Sequence, residues 1–235
     1  MKLTVCFLTV LILVLFTSCH IVQGSGNIIT EKRSTGDFKG ISTSSAIQVA
    51  WKNGPVTEVT VETDDNVMSY IETQVSGDVL KIGLKHMYNL SNAHLKVYIT
   101  SPQINSVNVS SAASFTARDL LKNDGQVKFN ASSAGTIHAE VDAPSVHCNA
   151  SSAASIELSG KTQTYQGDCS SAASLKTGNL LSENATVTAS SGANVSVHAS
   201  IRLIANASSG GSVHYHGGAS VNKSESSGGR VVMVE

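Results

Sequence analysis

Apolar and polar residues alternate with a period of two along most of this chain, and from residue 108 onward the alternation itself repeats. A Ser-Ser-small-small block recurs at Ser110, Ser132, Ser151, Ser170, Ser190, Ser208 and Ser226, at intervals of 18 to 22 residues. Five residues after the first Ser of each block stand Phe115, Ile137, Ile156, Leu175, Val195, Val213 and Val231. Two further on stand Ala117, Ala139, Leu158, Thr177, Val197, Tyr215 and Met233, with mostly polar residues between. Such alternation makes a strand with one buried face. The stretch before each block alternates too, through Val107, Phe129, Cys148, Gly167, Val187, Ala205 and Lys223, then Val109, Ala131, Ala150, Cys169, Ala189, Ala207 and Glu225. A period near twenty residues signals a solenoid. The expectation is an all-β, single-stranded parallel β-helix, right-handed by the crossover rule. Each coil of 18–22 residues would hold two short strands meeting at the Ser-Ser corner, followed by a looser return. Lys223 and Glu225 break the inner columns of the last coil with charge, as a terminal repeat needing a polar cap would.

Other columns follow from the same register. Asn108, Asn130, Asn149, Asp168, Thr188, Asn206 and Ser224 fall in line, and stacked Asn amides can bond along the axis. Cys148 and Cys169 lie in adjacent coils but two positions out of register. That puts their Cα atoms roughly 8 Å apart, beyond the reach of an unstrained disulfide, so they read as two small buried thiols.

The first half is less regular. Residues 58–62, 79–84 and 95–99 alternate as longer strands, with turn signals at Ser76-Gly77-Asp78 and Lys52-Asn53-Gly54-Pro55. Ser44-Ser45-Ala46-Ile47-Gln48-Val49 echoes the later repeat and reads as a first, degenerate coil. No linker separates the halves, so 28–235 reads as one continuous solenoid, with irregular, larger coils over 28–107 and regular ones over 108–235.

Ahead of it lies a targeting segment. Lys2, the apolar run from Leu3 to Phe16 and the small residues Thr17 and Ser18 make residues 1–18 a secretory signal, too short for a comfortable transmembrane span. Phe16-Thr17-Ser18-Cys19 resembles a bacterial lipobox, with Cys19 as the lipidated first residue and a membrane anchor, although Phe16 replaces the usual Leu. The alternative is ordinary cleavage, for instance after Gly24. Residues 19–27 read as a flexible tether. Together these features indicate the cell envelope, by outer-membrane anchoring on either face, or secretion.

Composition narrows the chemistry. Charged residues are only 14% of the chain and aromatics 5%, while Ser, Thr, Asn, Ala and Gly fill 110 of 235 positions. A net charge of −1 excludes nucleic-acid binding through charge alone. The outward columns hold Thr116, His138, Glu157, Lys176, Ser196 and His214, then Arg118, Glu140, Ser159, Gly178, His198 and His216. Glu157 with His138 and Lys176 reads as charge pairing on a solvated face. No cofactor is implied. His198, His214 and His216 would project from one face, and His nitrogens can hold a transition metal, but no neighbouring carboxylate completes a shell. Val232 and Val234 occupy outward columns at a terminal, unpaired edge, where a partner or a second copy of the chain could cover them.

The segments Asp37-Phe38-Lys39-Gly40-Ile41-Ser42, Val59-Thr60-Val61-Glu62-Thr63-Asp64-Asp65-Asn66, Gly77-Asp78-Val79-Leu80-Lys81-Ile82 and Val97-Tyr98-Ile99-Thr100-Ser101-Pro102, followed by the Ser-Ser-Ala-Ala coils, resemble the auto-transporter adhesin head, or GIN, domain family of Bacteroidetes. The resemblance covers roughly residues 28–234. It implies a secreted or lipid-anchored β-helix and supplies no catalytic motif. The expected function is a non-catalytic envelope protein that binds a protein or glycan ligand or serves a structural role. The alternatives are a carbohydrate-active β-helix enzyme, which needs clustered carboxylates or Arg/Lys in a groove, and an envelope regulatory lipoprotein.

Overall fold

The computed structural model describes residues 20–85 and 88–234. Residues 1–18 and Cys19, read above as signal and lipid site, lie outside the described residues. From Ser106 onward the chain is a parallel β-solenoid. Strand pairing keeps the predicted columns in register: Phe115, Ile137, Ile156 and Leu175 stack, followed by Val195, Val213 and Val231. The first six of these are all but fully buried, and each contributes about 1.5–3 kcal/mol by leaving water.

Each coil turns sharply at its Ser pair. The second Ser of the block has φ between 47° and 62°, and the next residue, Ala or Gly, has φ between 58° and 77°. Two successive left-handed residues point the intervening peptide along the solenoid axis. Its N–H groups then form a ladder: Ala112 donates to the Ser133 carbonyl (2.9 Å), Ala134 to Ser152 (3.0 Å) and Ala153 to Ser171 (3.0 Å). For L-residues this conformation costs about 1–2 kcal/mol each, and the ladder hydrogen bonds offset much of it at about 1 kcal/mol apiece.

The return is broken into short strands in the Ser110 and Ser208 coils, as expected, but not in the four coils between. Thr136–Ala150, Ser155–Cys169, Ser174–Ala189 and Asn194–Ala207 each run as one strand from corner to corner. In these coils the return residues stay paired with the coils on either side apart from irregularities between Glu157 and Ser159, Thr177 and Leu181, and Ser182 and Asn184. Gly160 (φ 108°) serves one bend, where a Cβ would meet the Val141 carbonyl oxygen at 2.1 Å.

The Asn column forms the expected amide ladder. Asn130 Nδ2 donates to Asn108 Oδ1 (2.8 Å) and Asn149 Nδ2 to Asn130 Oδ1 (3.0 Å). Cys148 pairs in register with Gly167 and Cys169 with Ala150; both thiols are free and buried. Desolvation pushes both thiols up, Cys169 to about 11.

The first half departs from a continuous solenoid. The Ser44 coil is real: Ser45 and Ala46 have the corner conformation, and Gly40–Thr43 and Gln48–Asn53 pair in parallel with Ser106–Val109 and Ser114–Ala117. Its other face pairs in parallel with Val79–Leu84 and Leu95–Ser101. Space therefore reverses chain order there. Beyond this layer the strands are antiparallel: Ile28–Arg33 against Glu58–Asp64, Glu58–Asp64 against Leu95–Ser101, and the hairpin of Ile71–Ser76 with Val79–Leu84. Residues 54–101 thus form a cap over the first coil, anchored by Trp51, which is buried and donates from Nε1 to Ser101 Oγ (2.8 Å).

The segment expected to be a flexible tether is stitched to this cap. His20–Gln23 pairs in parallel with Tyr88–Ser91. The Gln23 carbonyl accepts Asn66 Nδ2 (2.8 Å), and the Gly24 N–H reaches the Ser91 carbonyl (3.0 Å). Asp64 accepts the N–H groups of His94 (2.8 Å) and Gly26 (2.6 Å), while Asp65 accepts Ser25 Oγ (2.5 Å) and Asn27 Nδ2 (2.9 Å). The His94 N–H above all holds the Asp64 carboxyl below its ordinary range, and the Ser25 hydroxyl does the same for Asp65.

At the other end the charged columns close the last coil. Glu225 Oε1 accepts the Val231 N–H (2.6 Å), and Lys223 Nζ lies 3.3 Å from the Val231 carbonyl oxygen and 3.5 Å from Glu225 Oε1.

Candidate functional site

The return strands carry a groove along one edge of the solenoid. Register places Lys122 against Asp142, Asp142 against Lys161, Lys161 against Leu181, and Leu181 against His198. This outward column spans five coils and lines a depression of about 680 Å³, together with Asp124 and Glu183. A second depression of about 670 Å³, walled by Lys39, Asp78 and Val56, shares Asn123 with the first and extends it towards the cap. Lys161 Nζ lies 3.4 Å from Asp142 Oδ2, with 70% of the Lys161 side chain exposed. The pair is solvated, worth little to stability, and its groups remain open to a ligand. Thr162 and Ser182 sit just inside the column, buried, with their hydroxyls committed to the carbonyls of Thr164 and His198.

A bulge shapes the groove. The Ser170 coil carries Gly178-Asn179-Leu180 between Thr177, which pairs with Val197, and Leu181, which pairs with His198. Leu180 turns inward and is buried, whereas Leu181 is 55% exposed in the groove. The bulge also corrects the expected outward column: Ser159 faces Asn179 rather than Gly178, and His198 faces Leu181. Gly178 instead lies beside Ser196 and His216, which a Cβ there would approach to 2.6 Å and 3.5 Å.

His198 and His216 are register partners, and His214 lies two residues before His216. His198 lines the groove, and its Nδ1 is buried with no hydrogen-bond partner. Among the described residues, no three His, Cys, Asp or Glu side chains gather closely enough to hold a metal ion. Glu157 lies 3.9 Å from both Lys176 Nζ and His138 Nδ1, on a solvated face. Arg118 lies over the Tyr98 ring, 5.9 Å from its centroid. Val232 and Val234, in outward columns, are exposed, and so is Met233 between them.

The described residues thus form a parallel β-solenoid with an antiparallel cap and an open groove along one edge. The sequence matches the family described as "Putative auto-transporter adhesin, head GIN domain" over residues 37–219, and the chain belongs to that family. Its fold is similar to a "putative adhesin" of Bacteroides fragilis (TM-score 0.81, 17% identity, 91% of this chain and 100% of that one). It is also similar to a "putative lipid binding protein" of Parabacteroides distasonis (0.76, 21%, 92% and 100%) and a "putative adhesin" of Parabacteroides merdae (0.72, 19%, 92% and 100%). No curated protein matches the chain.

Proposed function

We propose that this protein is a non-catalytic, lipid-anchored envelope adhesin that holds an extended glycan in the edge groove. Family membership points to a cell-envelope or secreted adhesin-type protein. The observation that carries the finer reading is the column Lys122–Asp142–Lys161–Leu181–His198, which offers a polar side chain in four of its five coils at about 4.8 Å per coil along a line. A linear polymer suits such a track. In the first depression Leu181 and Pro144 are the exposed apolar side chains, standing among carboxylates, ammonium groups and amides. A protein interface of ordinary affinity is built round a more apolar centre.

Anchoring at Cys19 is supported by the strand His20–Gln23. Cleavage after Gly24 would delete it and strip Tyr88–Ser91 of its partner, whereas processing at Cys19 leaves the pairing whole.

A glycan array probed with the wild type and with Asp142→Ala and Lys161→Ala tests the groove. Binding that falls at least about tenfold, or 1.4 kcal/mol, in both variants is expected. Equal binding by all three removes the groove from the reading, and release of shortened glycan products would replace it with the enzyme. Surface protease accessibility of intact cells, compared between wild type and Cys19→Ala, tests the location; a purely periplasmic protein would end the adhesin role.

A further inference from the structure

We propose that a basic pocket backed by Tyr98, where the cap meets the first coils, is a second carbohydrate site that takes a sugar residue carrying one negative charge. None of its lining residues belongs to the edge groove, so the site stands or falls separately from the groove reading.

The first observation is a gap in one outward row. Val49, Trp51, Val59, Val61, Val97 and Ile99 are buried, so the residues that alternate with them face outward. Register sets Tyr98 between Ala50 and Thr60, and Thr100 between Lys52 and Glu58. Thr116 follows Ala50 on the next strand, and the Arg118 N–H donates to the Trp51 carbonyl (2.8 Å), which brings Arg118 into line with Lys52. Two strand spacings, about 10 Å, separate the strand of Arg118 from that of Tyr98. The Ala50 methyl between them is low enough for the guanidinium to reach across it, to 5.9 Å from the Tyr98 ring centroid. Lys96 Nζ lies 5.2 Å from the same centroid. Buried Ala50 is the floor of the resulting depression of about 280 Å³, near the lower end of small-molecule sites.

The second observation is the state of the charges. Among the described residues, Arg118, Lys52 and Lys96 form no salt bridge. The carboxylates nearby are engaged elsewhere. Asp119 accepts the Asn53 N–H (3.0 Å), and Glu62 Oε1 lies 2.7 Å from His94 Nε2 and accepts the Tyr98 hydroxyl (3.3 Å). Glu58 stands 3.9 Å from Lys32. The guanidinium is held over the ring by cation–π attraction, and its fork of N–H donors fits two oxygens of one anionic group. Glu58, across the sheet from Arg118, disfavours a doubly charged group such as phosphate. Glu58, Thr60 and Thr100 supply acceptors for hydroxyls. A singly charged sugar matches this set, with its anion on Arg118 and Lys52 and its hydroxyls towards the other rim.

Titration calorimetry of the full-length protein, purified from a bacterial host, tests the site with three probes: tetragalacturonate, its methyl ester and a sulfated galactose tetramer. The expected result is that tetragalacturonate binds, that the uncharged ester binds at least about tenfold more weakly, and that Arg118→Ala lowers the affinity for the acid by a similar factor. Arg118→Lys keeps the charge but not the fork and should recover only part of the loss. Lys176→Ala removes a cation further along the same face and should leave the affinity unchanged. Binding of the sulfated tetramer instead, with the same dependence on Arg118, would keep the site and assign its anion to a sulfate ester. Failure of both acidic tetramers to bind, an ester that binds as well as the acid, or a wild-type affinity retained by Arg118→Ala would overturn the site. Equal losses in Arg118→Ala and Lys176→Ala would overturn it too, by reducing the effect to general surface charge.

Discussion

A side chain at Gly167 would put its Cβ 2.6 Å from the hydroxyl oxygen of Tyr165 and 3.0 Å from the ring carbon that bears it. Tyr165 points into the core in a column with Val146 and Ala185, and it fits because the next inward position is glycine. Gly167→Ala is expected to destabilise by about 1–3 kcal/mol through overpacking. The Tyr165→Leu background should relieve much of this, a coupling that a double-mutant cycle in urea unfolding would read. The Tyr165 hydroxyl lies near Thr177 and Cys148 but makes no hydrogen bond of ordinary geometry. Tyr165→Phe should therefore be neutral or stabilising by up to about 1 kcal/mol.

Stability should fall at alkaline pH for a reason located in the bore. Burial raises the Cys169 thiol from 9.0 to about 11, and raises Cys148 and Tyr165 as well. The folded state keeps protons that the unfolded state releases. This contribution is complete below pH 9 and is lost as pH climbs from there through 11. The Cys148→Ala/Cys169→Ala double variant should show a shallower decline in Tm over that range. At the acid end, Asp64 and Asp65 have lowered values, so their contribution is present above the ordinary value of 3.8 and is lost as pH falls through the lowered ones. Hydrogen exchange at Ile21–Gln23 should accelerate, relative to the intrinsic rate, in the same acid range.

The corner and the bend of the return make opposite predictions for two substitutions between alanine and glycine. Ala153 has φ 60°, and Ala153→Gly relieves about 1–2 kcal/mol of left-handed strain, less about 0.5–1 kcal/mol of added chain entropy. A small gain in stability is expected. Gly160→Ala places a Cβ against the Val141 carbonyl at φ 108° and should cost more than 2 kcal/mol, about the upper end of such backbone effects. Urea midpoints of the two variants moving in the same direction would contradict this account of the corner.

The last coil predicts solution behaviour. Lys223 and Glu225 occupy the backbone groups of Val231 that a further strand would otherwise use. Light scattering should show the wild-type domain as a monomer. Lys223→Ala/Glu225→Ala opens an edge flanked by exposed Val232, Met233 and Val234, and should associate. A variant that stays monomeric would assign the closure to something other than this pair.

Much of the fold was legible because the buried columns are read by counting from the Ser pair: those that start at Val107, Val109 and Phe115 keep their register throughout, while the one that starts at Ala117 is interrupted between Leu158 and Thr177. The degenerate coil at Ser44 and the charged closure at Lys223 and Glu225 were legible by the same count. The cap was not. A period of two is common to parallel and antiparallel strands, so nothing local in Glu58–Asp64 distinguishes them. The groove was hidden by coil length. Counting forward from the Ser pair slips at Gly178-Asn179-Leu180, while counting backward from the next pair aligns three of the five groove residues and is off by one for the other two. Asp142, Lys161 and Leu181 each lie nine residues before the next Ser pair, and Lys122 and His198 ten. The tether was misread because Gly24-Ser25-Gly26 looks flexible; its glycines serve close approach to Asp64 and Asn92 and the turn at Gly26.

Because the cap closes one end and the Lys223–Glu225 pair the other, the coils between are interchangeable units. Duplicating or deleting one internal coil would change the height of the molecule by about 4.8 Å without disturbing either terminus. Relatives can then differ in reach above their point of attachment through repeat number alone, while a polymer lying in the groove would gain or lose one station per coil.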